Sequence, residues 1–152
     1  MVFIFCAVYM GDLSDVRRTG FFLYIHKEST LFFRGCIVTK WNSYSGLSLG
    51  LFVFIPDENC EELLKFANNS KEELAARCSM ILVHEYGHSW QSFILGPFFL
   101  VPGICSLCWG RMKRYKQLRE KYGVPYSFFW AEHWANSWGE KVTGLPSIGR
   151  ID

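Results

Sequence analysis

Apolar and polar positions change their period near Pro56. Before it, residues 2–9, 20–26, 30–38 and 47–55 form runs rich in aromatic and β-branched side chains, separated by polar or glycine-containing turns. That pattern predicts strands, and their short spacing predicts a small antiparallel sheet. After Pro56 the period lengthens. A short helix is expected around 61–66, and Ser70-Lys71-Glu72-Glu73 reads as a capping box. Leu74, Cys78, Ile81 and Leu82 then recur at helical spacing until Gly96-Pro97, which predicts a helix over 71–95. A basic amphipathic helix is expected over 111–122, closed by Gly123, and a last helix over 127–138, closed by Gly139. Strands followed by helices, with no repeat and no linker, predict one α+β domain spanning 1–152.

Composition narrows the picture. Half of the 152 residues are apolar, enough for a real core, and the net charge is only +2. The one basic run, Arg111, Lys113, Arg114 and Lys116, is too local for a nucleic-acid stripe, so no nucleic-acid partner is expected. Six cysteines form no dense framework and are expected as reduced thiols. Cys105 and Cys108 have C-x-x-C spacing, but no second pair completes a four-sulfur zinc site.

Residues 93–110 run for eighteen positions without a charge, directly before the basic run. Gly96-Pro97 and Pro102-Gly103 interrupt the span, which argues for a bent apolar hairpin, buried in the core or dipping into a bilayer surface, rather than a transmembrane helix. Membrane-surface contact through 93–116 is therefore an expectation. The first ten residues are apolar but have no leading positive charge and no clear cleavage site, so a cytoplasmic or membrane-associated location is favoured over secretion.

The chemistry concentrates in His84-Glu85-Tyr86-Gly87-His88. Two histidines four residues apart on a helix project from one face, within reach of a single tetrahedral ion. Glu85 lies about 100° around the axis from His84, where a carboxylate can take a proton from an attacking water. The placement matters as much as the spacing, because two uncoordinated histidines and a glutamate on the buried half of a capped helix are costly to desolvate. Zinc is the expected ion.

This segment resembles the active-site helix of the zincin metallopeptidases. Glu132-His133-Trp134-Ala135-Asn136 on the last helix resembles the glutamate helix of the gluzincin branch. The resemblance implies Glu132 as third protein ligand and Asn136 as the residue that orients His84. It also implies that the strand over 46–55 is the edge strand aligning an extended peptide or protein substrate. Glu132 follows His88 by 44 residues, a longer gap than in gluzincins, and the adjacent His133 is the competing third ligand. The Gly-Pro-containing apolar segment directly after the motif is also similar to one in small uncharacterised bacterial HExxH proteins.

On this reading the chain is a zinc metallopeptidase in which Glu85 serves as general base. Tyr126, with Tyr122 and His133 behind it, is a candidate donor to the developing oxyanion, or else a packing residue of the cluster around Phe128. Gln91, one turn after His88, faces either the site or solvent. The tryptophans pack helices together or form an interfacial belt. Two other readings stand beside the peptidase: a non-catalytic zincin-like module with structural zinc, and a membrane-embedded protease similar to the site-2 group.

Overall fold

The computed structural model describes residues 30–67 and 70–149, and the two expected strands at 2–9 and 20–26 lie outside that range. The fold is α+β as expected, with the sheet in the N-terminal half.

The run read as a single strand over 30–38 is a hairpin of β1, Thr30–Phe33, and β2, Cys36–Trp41. Arg34 and Gly35 both have positive φ, at 46° and 90°, the twist that a two-residue hairpin loop requires. A non-glycine residue held there needs support, and Arg34 has it: its guanidinium donates to Val142 O at 2.6 Å and Thr143 O at 3.3 Å. The same cation thereby satisfies carbonyls at the end of the last helix. Residues 47–55 likewise divide into β3, Leu47–Leu49, and β4, Phe52–Pro56, turning at Gly50 with φ 67°.

The sheet order is β1-β2-β4-β3, and the expectation of an antiparallel sheet is corrected. β2 and β4 pair in parallel, whereas β1–β2 and β3–β4 are antiparallel. The physical reason is the path of the chain. After β2 it passes beyond the position of β4, runs back as β3, and then returns as β4 between them, so two reversals leave β4 aligned with β2.

Helix α1, Glu61–Ala67, precedes α2, Lys71–Leu95. The capping box at the head of α2 is complete: Glu73 N donates to Ser70 Oγ at 3.2 Å and Ser70 N to Glu73 Oε2 at 2.9 Å. Ile81 and Tyr86 of α2 pack on Cys36, Val38, Val53 and Ile55 of the sheet, while Leu74 and Cys78 pack on Leu63 of α1. Each fully buried aliphatic side chain of this kind contributes about 1.5–3 kcal/mol.

At Gly96, φ 52° and ψ −131° end α2, and a 3-10 turn over Gly96–Phe99 leads into α3, Leu100–Arg111. The expected second interruption at Pro102-Gly103 does not occur. Pro102 falls in the first turn of α3, where an amide has no intrahelical acceptor to lose. After Met112 comes α4, Lys113–Tyr122, which ends at Gly123 with φ 62°.

The last helix, α5, covers Trp130–Thr143 and runs through Gly139, the expected stop, to Gly144. Gly139 marks a close approach: a Cβ there would lie 2.2 Å from Val83 O of α2. Gly87 reciprocates, with a Cβ position 1.9 Å from Ala135 O of α5. Two glycines thus let the backbones of α2 and α5 touch. Trp90 and Trp138 rings, 6.2 Å apart, pack beside that crossing.

Candidate metal centre

The close crossing sets the site. His84 and His88 lie one turn apart on α2, with nearly perpendicular rings whose centroids are 4.7 Å apart. Glu132 lies in the first turn of α5, fully buried at 0% exposure. Its Oε2 is 3.1 Å from His84 Nε2 and 3.4 Å from His88 Nε2, and the two Nε2 atoms are 3.2 Å apart. Among the described residues these three form a group able to hold a metal ion, with ligand atoms within 4.8 Å of one another.

The far side of each imidazole is also occupied. His84 Nδ1 lies 2.6 Å from Asn136 Oδ1, the residue expected to orient it. His88 Nδ1 lies 2.8 Å from Gln91 Oε1, while Gln91 Nε2 donates to Ala131 O at 2.7 Å. That second bond fixes the orientation of the amide: its oxygen faces the ring, so His88 Nδ1 is the protonated nitrogen. A neutral His88 therefore turns a bare lone pair on Nε2 toward Glu132. Glu132 Oε2 accepts no hydrogen bond of acceptable geometry despite its burial.

With both imidazoles neutral, electron pairs from three side chains converge on one small space, an arrangement relieved by a bound cation or, without one, by a proton on His84 held against Glu132. The donor set, two imidazoles and one carboxylate oxygen, fits a divalent transition metal with one position left over.

The other carboxylate oxygen has its own partner. Ser106 of α3 donates to Glu132 Oε1, and Tyr126 Oη lies 2.7 Å from Ser106 Oγ. Burial alone works against a charged His84, but its contact with Glu132, together with Glu85 and Asn136, lifts its pKa to about 9. Burial likewise works against a charged Glu132, and its contacts with the neighbouring His88 and His84 override it, holding this carboxyl below the ordinary carboxylate range.

Glu85 is 1% exposed. A Cβ on Gly46 would lie 2.4 Å from Glu85 Oε1, so the backbone just before β3 passes directly over this carboxylate. Trp41 Nε1 donates to Ser45 O at 2.8 Å and holds that segment down. Among the described residues β3 forms one edge of the sheet, and Ser48 on it lies 3.0 Å, Oγ to Oγ, from Ser89 of α2.

Of the residues singled out in the sequence, His84, His88, Glu132 and Asn136 come together, with Glu85 beside them. His133 is exposed on α5 and stands outside the group. Tyr126 reaches Glu132 through Ser106. Ser106 itself was missed, although it is a lone hydroxyl between Cys105 and Leu107 in an uncharged segment. Comparison with protein-family models, with curated proteins and with solved structures returns no match to this chain.

Proposed function

We propose that the protein is a zinc-dependent metallopeptidase whose ion is held by His84, His88 and Glu132. The observation that carries this reading is the convergence of three buried lone pairs, with the Nδ1 of each imidazole tied to an amide oxygen. Zinc bound there supplies a Lewis acid that polarises a scissile carbonyl and makes water more acidic. The chain's own residues do the rest. Glu85 takes the proton of the attacking water and passes it to the leaving amine. Asn136 and Gln91 keep both imidazoles turned toward the centre. Ser106, backed by Tyr126, occupies Glu132 Oε1 and leaves Oε2 to the ion. The edge strand β3, which follows Gly46 over Glu85, supports an extended polypeptide as substrate, because an edge offers unpaired backbone groups.

Replacing Glu85 by Gln tests the proposal: the variant keeps one zinc per chain and loses hydrolysis of unfolded protein substrates. Loss of zinc, or undiminished hydrolysis, overturns the assignment of Glu85. A second reading, a non-catalytic module with structural zinc, is favoured by burial, since His84, Glu85 and His88 are all 4% exposed or less. It requires a fourth protein ligand and no exchangeable water, which X-ray absorption of the zinc-loaded protein distinguishes.

A further inference from the structure

The segment that follows α2 has two sides. Phe99 and Ser106 turn inward, the ring of Phe99 6.0 Å from that of His88 and Ser106 on Glu132. Phe93, Ile94, Phe98, Val101 and Ile104 are about half exposed or more, with Phe93 and Phe98 at 79% and 78%. Apolar exposure on this scale in one short segment is uncommon on a soluble monomer and marks a contact surface. Residues 111–122 then bring six basic side chains against Glu120 alone, and α4 buries none of its residues.

The helical run Lys71–Arg111 is long and apolar enough to cross a membrane, yet only 22% of its most apolar 18-residue stretch is buried within the protein. A core helix of a soluble protein is mostly buried, so packing among the described residues does not account for the stretch. Crossing a bilayer does not account for it either. Gly96 breaks the run, and Lys71, Glu72, Glu73 and Arg77 charge its first half.

We infer that this face docks the protein on the surface of a bilayer containing anionic phospholipid. The exposed apolar side chains enter the boundary between headgroups and acyl chains, and α4 meets the headgroups. Charge selects this occupant. A second copy using the same face would set two basic helices of like sign near each other, and a neutral apolar partner would leave α4 without counter-charge. An anionic bilayer answers both halves of the surface. The inference is independent of the metal reading.

Sedimentation of the full chain with vesicles tests it, comparing phosphatidylcholine alone with mixtures in which a third of the lipid is phosphatidylserine. The protein partitions onto the anionic vesicles at least about 100-fold more strongly, and added salt weakens the binding. Replacing Lys113, Arg114 and Lys116 together by Gln lowers partitioning by about 100-fold, taking roughly fivefold for each cation near an anionic surface. Replacing Phe93 and Phe98 together by Ser removes binding while the circular dichroism spectrum stays unchanged, as expected of exposed positions. Chelation of metal leaves partitioning intact, so a failed metal site and a failed docking surface are told apart. Equal binding to both vesicles overturns the proposal. So does absence of binding to either, with or without a concentration-dependent dimer in solution.

Discussion

Gln91 connects His88 to the backbone of α5: its oxygen lies 2.8 Å from His88 Nδ1, and its amide nitrogen donates to Ala131 O at 2.7 Å. One side chain therefore fixes both a ring tautomer and the spacing between the helices that carry the ligands. Asn136 performs the first of these tasks for His84 from the opposite helix. Replacing either Gln91 or Asn136 by Ala weakens zinc binding by about 10–100-fold, the range typical of lost partners behind a metal-bound histidine. Competition against a chromophoric chelator measures this directly, and unchanged affinity in both variants removes the orienting role.

Ser106 decides which oxygen of Glu132 is available. Its hydroxyl donates to Oε1 and is itself contacted by Tyr126 Oη at 2.7 Å. Ser106→Ala leaves Oε1 buried without that donor, at a cost of about 1–3 kcal/mol in stability, and lets the carboxylate rotate toward a two-oxygen grip on the ion. The cobalt-substituted variant then shows a shifted visible spectrum, reporting higher coordination. Tyr126→Phe changes the spectrum less, because Ser106 still reaches Glu132. Identical spectra for wild type and Ser106→Ala contradict the assignment.

How much of this was legible beforehand follows from which residues signal locally. The bounds of α2 were readable because Ser70 and Glu73 form a cap in sequence and Gly96-Pro97 marks the stop. The ligand pair His84 and His88 is local too, and Glu132 with Asn136 carries a recognisable spacing. The sheet was less legible. Arg34-Gly35 and Gly50 each sit inside an apolar run, so two hairpins read as two strands, and parallel pairing of β2 with β4 depends on a chain path that no local pattern encodes. Gly139 misled for a related reason, since a glycine required for helix contact looks the same in sequence as a glycine that ends a helix. Ser106 gave almost no signal, because its partner is 26 residues away on another element.

Metal-free protein has a pH dependence of definite sign. His84 moves from an ordinary value of 6.5 to about 9, so the stability it contributes is fully present below 6.5 and is lost as pH rises through 9. Glu132 moves down from 4.5, so its contribution is present above 4.5 and is lost on acidification. In chelator, the melting temperature is highest between these two ordinary values and falls from pH 6.5 to 9. Zinc displaces the proton from His84, so zinc affinity rises over the same window by about tenfold per pH unit. A melting temperature in chelator that is flat from pH 6.5 to 9 is incompatible with a charged His84–Glu132 pair.

The contact of α2 with α5 makes a prediction opposite to the usual rule. In a helix interior, Gly→Ala ordinarily stabilises by about 0.5–1 kcal/mol, because alanine has less backbone entropy to lose. At Gly87 the added Cβ would lie 1.9 Å from Ala135 O and 2.6 Å from Ala135 C, and backbone atoms of a packed helix cannot move aside as a flexible side chain does. The helices must separate, which carries Glu132 away from His84 and His88. Gly87→Ala is therefore expected to destabilise by about 3 kcal/mol or more and to bind no zinc, although Gly87 is not a ligand. Gly139→Ala, at 2.2 Å from Val83 O, behaves alike. Gly144→Ala is the control: φ is 74° but nothing lies within 4 Å of the new Cβ, so it costs only the left-handed strain of about 1–2 kcal/mol and keeps its metal. Thermal unfolding with zinc stoichiometry on the three variants separates contact from strain, and a Gly87→Ala protein that is as stable and as metal-loaded as wild type shows that the helices do not touch where the site depends on their touching.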